Sequence, residues 1–122
     1  MKEWMLVFLG SGLGGSIRYA ITLIFRGIGF SHGFPWPTLL VNLLACIMAG
    51  LLSARILPGQ AETNQLRLWW ITGFCGGFST FSAFGLESIQ LIRDGNLLSA
   101  LAYIALSLFC GLAAVWIFLR AS

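Results

Sequence analysis

Four long apolar stretches occupy almost the whole chain, and they constrain its fold more than any other feature. They cover about residues 4–26, 36–57, 67–93 and 96–120, with short connections between them. A helix needs about 20 mostly apolar residues to cross a bilayer. The sequence therefore predicts an all-α integral membrane protein with four transmembrane helices, in which residues 1–122 form one domain.

The composition supports an exterior that faces the lipid bilayer. Charged residues make up 9% of the chain, against about 25% in an average soluble domain, and the mean hydropathy is +0.90. The net charge is +3, but the seven basic residues are dispersed and mostly flank the apolar stretches. We therefore predict no nucleic-acid partner.

The sequence contains no recognisable catalytic constellation. It has no Ser-His-Asp set, no HExxH pattern and no phosphate-binding loop. The three cysteines, Cys46, Cys75 and Cys110, lie inside apolar stretches and are interpreted as small apolar packing residues. We expect no enzymatic activity.

Small residues recur at four-residue spacing in the first apolar stretch. The pairs are Gly10 with Gly14, Ser11 with Gly15, and Gly12 with Ser16. Such spacing favours the close approach of a second helix.

The third apolar stretch contains the most unusual segment, which reads GFCGGFSTFSAF from Gly73 to Phe84. Two adjacent glycines followed by Ser79 and Thr80 predict the end of one half-helix and the capped start of another. A helix broken in the middle of the membrane is typical of an ion or substrate site, because backbone groups become available as ligands. The alternative is a glycine kink without a ligand.

Polar and aromatic side chains lie near this break in the sequence or in the neighbouring spans. Asn42, with Thr38 one turn earlier, suits either an anion or a hydrogen bond between helices. Phe81 and Phe84 share one side of the second half-helix, with Ser82 between them. Their positive ring edges are suited to contact an anion weakly, as conduction requires.

The last apolar stretch carries Tyr103, Ser107 and Gly111 on one helical face. This face either lines a pore or packs against a neighbouring helix. Two charged residues, Arg18 and Glu87, lie inside the apolar stretches and not at their ends. Arg18 requires a partner, a water-filled vestibule or a route to the headgroups, and Glu87 suits either proton coupling or a position away from the narrow part of an anion pathway.

The basic residues at the ends of the spans give a weak orientation signal. With four spans, the side that holds the termini has a surplus of two over the side that holds Arg26 and Arg93. This bias fits a protein that inserts in both orientations or is weakly oriented. Since four helices enclose little pathway, we expect a dimer, and we hypothesise that it is antiparallel.

Four segments in order resemble the CrcB/Fluc fluoride channel family over nearly the whole chain. They are GLGGSIRY at 12–19, TLLVN at 38–42, the segment 73–84, which is similar to the family pattern GxxGGxTTFSTF, and Tyr103 with Ser107. The resemblance implies a fluoride-selective channel in the cell inner (plasma) membrane, which it crosses several times, that exports fluoride passively. It also implies a dual-topology dimer, formed with a second copy or with a homologous chain.

The resemblance also assigns roles to individual residues. Phe81 and Phe84 would contact fluoride and Asn42 would be the pore amide. The side chains that would line the remaining route are Ser82, Thr38, Tyr103 and Ser107. A structural Na⁺ at the dimer interface would be held by the backbone carbonyls of Gly76 and Ser79 from both subunits. The chain departs from the family pattern at Ser79, Ala83, Gly85, Leu86 and Gly111, where the family usually has Thr, Thr, Ser, Ala and Ser.

Two other functions stay open on these residues. A small multidrug-resistance-type proton-coupled transporter also has four helices, but such proteins need a carboxylate in helix 1, where this chain has only Glu3 at the edge. A non-transporting assembly factor is supported only by the small-residue packing faces.

Overall fold

The computed structural model describes residues 1–29, 33–56 and 61–120, and every regular element in these ranges is a helix. α1 is Lys2–Gly27 and α2 is Trp36–Arg55. The third apolar stretch contains α3 (Ala61–Arg67), a π-helical stretch (Leu68–Cys75), α4 (Gly76–Phe78) and α5 (Phe81–Arg93), and the chain continues with α6 (Leu97–Arg120). The prediction of an all-α membrane protein is confirmed. Leu57, at the predicted end of the second span, lies outside the described residues.

Three helices of the described chain, α1, α2 and α6, are long and apolar enough to cross a membrane. The third stretch is instead divided into two parts. Residues 61–78 form the first half-helix, and α5 forms the second half-helix. Ser79 and Thr80 between them have extended backbone, with ψ values of 160° and 116°. A fourth crossing by the two half-helices together stays a prediction.

The break lies two residues beyond the glycine pair. Gly76 has helical φ and ψ of −63° and −37°, and Gly77 is also helical. The glycines therefore do not break the helix. A Cβ on Gly77 would overlap the backbone carbonyl of Ser11 and lie 2.7 Å from its Cα, so the absent side chain allows the first half-helix to contact α1.

Close packing of α1 on the first half-helix confirms the small-residue prediction in part. Gly10 and Gly14 are buried, and a Cβ on Gly10 would lie 2.7 Å from the carbonyl oxygen of Trp69. The Ser11 hydroxyl donates a hydrogen bond to the carbonyl of Gly73 at 3.2 Å. In contrast, a Cβ on Gly12 would meet nothing within 4 Å. One face of α1 therefore makes this contact, and Gly12 does not take part.

The remaining helices pack in two groups of buried side chains. Val41 and Ala45 of α2 pack against the first half-helix at Phe74, Cys75 and Phe78. Leu91 of α5 packs against α6 in a second cluster, which is completed by Ala100 and Tyr103, with Phe34, Leu39 and Phe84 at its edge. The tight turn between α5 and α6 uses Gly95 at φ +84°, a conformation that glycine adopts without strain. As a result, α2, α5 and α6 all border the break.

The glycine packing predicts different effects of alanine at two positions on α1. A Cβ on Gly14 would overlap the carbonyl of Phe74 and lie 2.7 Å from the Phe78 nitrogen. We expect Gly14→Ala to lower the free energy of unfolding by about 1–3 kcal/mol, because the first half-helix must move away. The matched control Gly12→Ala should leave stability unchanged or slightly raised, since alanine favours the helix. Thermal unfolding in detergent measures both, and a Gly14→Ala protein as stable as Gly12→Ala would contradict this packing.

Candidate functional site at the helix break

Asn42 of α2 pairs with the backbone of the break through both ends of its amide. Its Oδ1 accepts a hydrogen bond from the backbone N–H of Thr80 at 2.7 Å, and its Nδ2 donates one to the carbonyl of Thr80 at 3.2 Å. Backbone groups that leave a helix inside a membrane need such partners, because lipid offers none. Of the two roles left open for Asn42, the hydrogen bond between helices is thus present, and one amide N–H remains for another acceptor.

The side chains at the break complete its hydrogen bonding. Thr80 is the N-cap of α5, and its hydroxyl accepts from the backbone N–H of Ala83 at 3.2 Å. The same hydroxyl lies 3.2 Å from that of Ser82. The Ser79 hydroxyl donates back to the carbonyl of Cys75 at 2.8 Å. The capped start that the Ser-Thr pair predicted is confirmed at Thr80.

Two phenylalanines at the start of α5 border a cavity of about 210 Å³. The Phe81 side chain is 82% exposed, and its ring centroid lies 5.7 Å from that of Phe84. We call this space the Phe cavity; its lining residues are Asn42, Cys46, Ser79, Thr80, Phe81, Phe84, Ser107 and Leu108. The structure therefore brings Asn42, Phe81, Phe84 and Ser107 together, whereas Ser82, Thr38 and Tyr103 are not among the residues that line the Phe cavity.

Ser107 contributes a buried polar group to the Phe cavity. Its hydroxyl oxygen is inaccessible and has no hydrogen-bond partner among the described residues. An unpaired buried hydroxyl is uncommon and calls for a partner that binds there. The Ser107 hydroxyl is thus a donor beside the Phe cavity that no described residue uses.

Thr38 and Tyr103, which the resemblance also assigned to the route, both donate to a carboxylate. The Thr38 hydroxyl is 2.7 Å from Oε1 of Glu87, and the Tyr103 hydroxyl is 3.1 Å from Oε2. Tyr103 is fully buried, and its ring packs on Phe84 with centroids 5.3 Å apart. The carboxylate therefore joins α2, α5 and α6 just beyond the two phenylalanines. Sequence reasoning placed Glu87 near the end of the span but did not identify these two donors.

Arg18 lies at the other side of the break. Its Nε donates to the carbonyl of Gly77 at 3.3 Å, so the charge has the partner that its place in an apolar stretch required. Arg18 also lines a wider cavity of about 490 Å³, which we call the vestibule. Polar residues that line the vestibule include Arg18, Thr22, Arg26, Thr38, Thr80, Glu87, Gln90, Asp94 and Asn96. Of the three alternatives expected for Arg18, the structure shows a hydrogen-bond partner and a place at a wide cavity.

The carbonyls that were expected to hold a cation lie at the C-terminal end of the first half-helix. If the helix continued, the N–H of Thr80 would donate a hydrogen bond to the carbonyl of Gly76. It donates to Asn42 instead. Gly76 is also exposed. Carbonyl oxygens suit a hard cation, and the end of a helix carries partial negative charge. The described residues contain no group of three or more His, Cys, Asp and Glu that could hold a metal.

The chain is similar over most of its length to a known family and to several curated relatives. The family described as CrcB-like protein, Camphor Resistance (CrcB), matches residues 5–119. A protein named Fluoride-specific ion channel FluC from Azobacteroides pseudotrichonymphae is 40% identical over 115 residues, which are 94% of this chain and 91% of the relative. Proteins of the same name are 40% identical in Flavobacterium psychrophilum, over 95% of this chain and 93% of the relative, and 41% identical in Phocaeicola vulgatus, over 94% and 93%.

Proposed function

This chain belongs to the CrcB-like family, and on that premise we propose that it is a fluoride-specific ion channel that lets fluoride leave the cell. The supporting observation in the structure is the Phe cavity, where two phenylalanines adjoin an amide and an unpaired buried hydroxyl. The relatives are named ion channels, which agrees with the expectation that the chain is not an enzyme.

Fluoride would pass the Phe cavity through weak contacts. The positive ring edges of Phe81 and Phe84 attract an anion without the strong binding of a guanidinium group. Asn42 keeps one N–H for the ion. Ser107 borders the Phe cavity with an unpaired hydroxyl, and Ser82, which pairs with the Thr80 hydroxyl, would offer a donor next to the cavity. Conduction needs contacts that favour entry and still permit exit, and this set of groups meets both conditions.

Thr38 lines the vestibule and would border the route there. Tyr103 is buried and would act on the route through its hydrogen bond to Glu87. Their hydroxyls donate to Glu87, so fluoride must compete with a carboxylate for these protons. This competition weakens binding at a point where a strong donor pair would hold the ion. Glu87 in this arrangement orients donors and carries no proton across the membrane.

The driving force for export would be the membrane potential. In acid surroundings fluoride enters cells as neutral HF and ionises inside. Each anion that leaves a cell whose interior is about 100 mV negative releases about 2.3 kcal/mol of free energy. This free energy drives passive export. The channel would therefore lie in the cell inner (plasma) membrane and cross it several times, with the two half-helices providing the fourth span.

A second copy of the chain would complete the pathway. The Phe81 ring is mostly exposed and the Phe cavity opens at the protein surface. An antiparallel homodimer would cover this face, and the weak charge bias allows insertion in both orientations. A homologous chain could take the place of the second copy.

A structural Na⁺ would bind between the two copies. The backbone carbonyls of Gly76 and Ser79 from each chain would be its ligands. The redirected N–H of Thr80 and the exposure of Gly76 support these oxygens as donors. The ion would balance the partial negative charge at the two helix ends.

Replacing either phenylalanine tests the aromatic contacts. We expect Phe81→Ile and Phe84→Ile each to slow fluoride efflux from proteoliposomes by at least about tenfold, equivalent to about 1.4 kcal/mol of barrier, because isoleucine has no positive ring edge. Phe109→Ile, which alters an exposed ring on α6, is the matched control and should not change efflux. Normal flux in both folded variants would refute the aromatic contacts.

Asn42→Asp tests the role of the amide. The carboxylate still accepts from the N–H of Thr80 but loses the donor to its carbonyl, and it adds negative charge to the Phe cavity. We expect a folded protein with blocked fluoride efflux, since the charge repels the ion. Asn64→Asp makes the same change at an exposed position of α3 and should conduct normally. Unimpaired efflux through Asn42→Asp would remove Asn42 from the pathway.

Glu87→Gln separates a passive channel from proton coupling. Glutamine keeps an acceptor for one of the two hydroxyls, and a passive pathway involves no proton transfer. We therefore expect fluoride efflux through Glu87→Gln to stay largely intact. Its dependence on pH should match that of Glu62→Gln, a control variant at an exposed position of α3. Lost efflux together with a changed pH dependence would favour the transporter alternative.

A further inference from the structure

Cys46 of α2 also lines the Phe cavity, although the sequence suggested only a packing role for it. It follows Asn42 by one helical turn, so both side chains lie on one face of α2. The three cysteines have different surroundings, because Cys46 is half-buried, Cys75 is buried and Cys110 is exposed. Among them, only Cys46 borders the Phe cavity.

The Cys46 sulfur occupies the space beside Gly111 of α6. A Cβ added to Gly111 would lie 3.3 Å from the Cys46 Sγ. Gly111 follows Ser107 by one turn on the same face of α6. The thiol therefore lies in tight contact with the position that the Cβ of a larger residue 111 would take. A larger group on either residue would crowd the other.

The Ser107 hydroxyl is an unpaired polar group at the same end of the Phe cavity. It is buried without a partner among the described residues, and it lines the same cavity as the thiol. A thiol is a weak hydrogen-bond donor. Both residues therefore border the same end of the Phe cavity.

We propose that Cys46 is a lining residue of the fluoride pathway, and that its thiol sets the width and the donor strength of the route beside Ser107 and Gly111. This inference rests on the proposed function, since it assigns a residue to the same pathway. It also makes Cys46 a modification site that a small thiol reagent reaches through the pathway.

Methyl methanethiosulfonate is a suitable probe because it is small and uncharged. The thiol loses its proton to solvent, and the thiolate attacks the sulfenyl sulfur of the reagent. A new S–S bond forms, the bond between the two reagent sulfurs breaks, and methanesulfinate leaves with the electron pair. The product is a mixed disulfide with one added S-methyl group, and no external oxidant is required.

The experiment uses the Cys75→Ala/Cys110→Ala variant, which keeps Cys46 alone, in proteoliposomes. Intact mass measures modification, and fluoride efflux is recorded before and after treatment. We expect one added methylthio group and a decrease in fluoride efflux of about tenfold. The added group narrows the pathway, and a tenfold decrease corresponds to a rise of about 1.4 kcal/mol in the barrier to fluoride passage. Dithiothreitol should remove the group and restore efflux.

The matched control is Cys46→Ala/Cys75→Ala, which keeps the exposed Cys110. Its efflux should be the same before and after complete modification. Efflux that is unchanged when Cys46 is fully modified, or a Cys46 that does not react in folded and conducting protein, would overturn the inference and leave the proposed function standing. A folded variant that passes no fluoride before treatment, alongside a silent unmodified protein, would instead refute the proposed function and the inference with it.

Discussion

The pairing of the Asn42 amide with the backbone of Thr80 is the interaction on which the rest of the site depends. A helix that ends and restarts within a membrane protein exposes N–H and carbonyl groups that lipid does not satisfy. Asn42 binds both groups of Thr80 at once, and the Thr80 hydroxyl caps the helix that follows. The break is therefore a defined structure and not a kink, and it fixes the directions in which Phe81 and Phe84 leave the backbone.

Glycines at the contact between α1 and the first half-helix also hold the break in place. Gly10, Gly14 and Gly77 allow the first half-helix to pack directly on the backbone of α1, and Arg18 binds the carbonyl of Gly77 in the last turn before the break. One carbonyl at this helix end is thus occupied by a side chain. The carbonyl of Gly76 loses its helical donor, the N–H of Thr80, to Asn42. The same contact therefore orders the break and leaves this carbonyl without its partner in the helix.

The sequence allowed the helices, the break and its cap to be predicted because each depends on local patterns. Apolar length gives the spans, Ser79 and Thr80 give the cap, and the spacing of Gly10 and Gly14 gives a packing face. The contacts of Glu87 with Thr38 and Tyr103 join residues 49 and 16 positions apart, and no local pattern specifies such a meeting. The same holds for Cys46, whose place in the Phe cavity follows from the packing of α2 against α6. The sequence pattern predicts a break at the glycine pair, but both glycines are helical and Gly77 serves close packing against α1. Both uses of glycine give the same local pattern.

The central claim is that the Phe cavity conducts fluoride, and the most direct test is efflux from liposomes that contain the purified protein. A potassium ionophore balances the charge that leaves, and chloride is measured in parallel. The account predicts rapid release of fluoride without release of chloride. Well-folded protein that releases neither ion, or that releases both at similar rates, would contradict it.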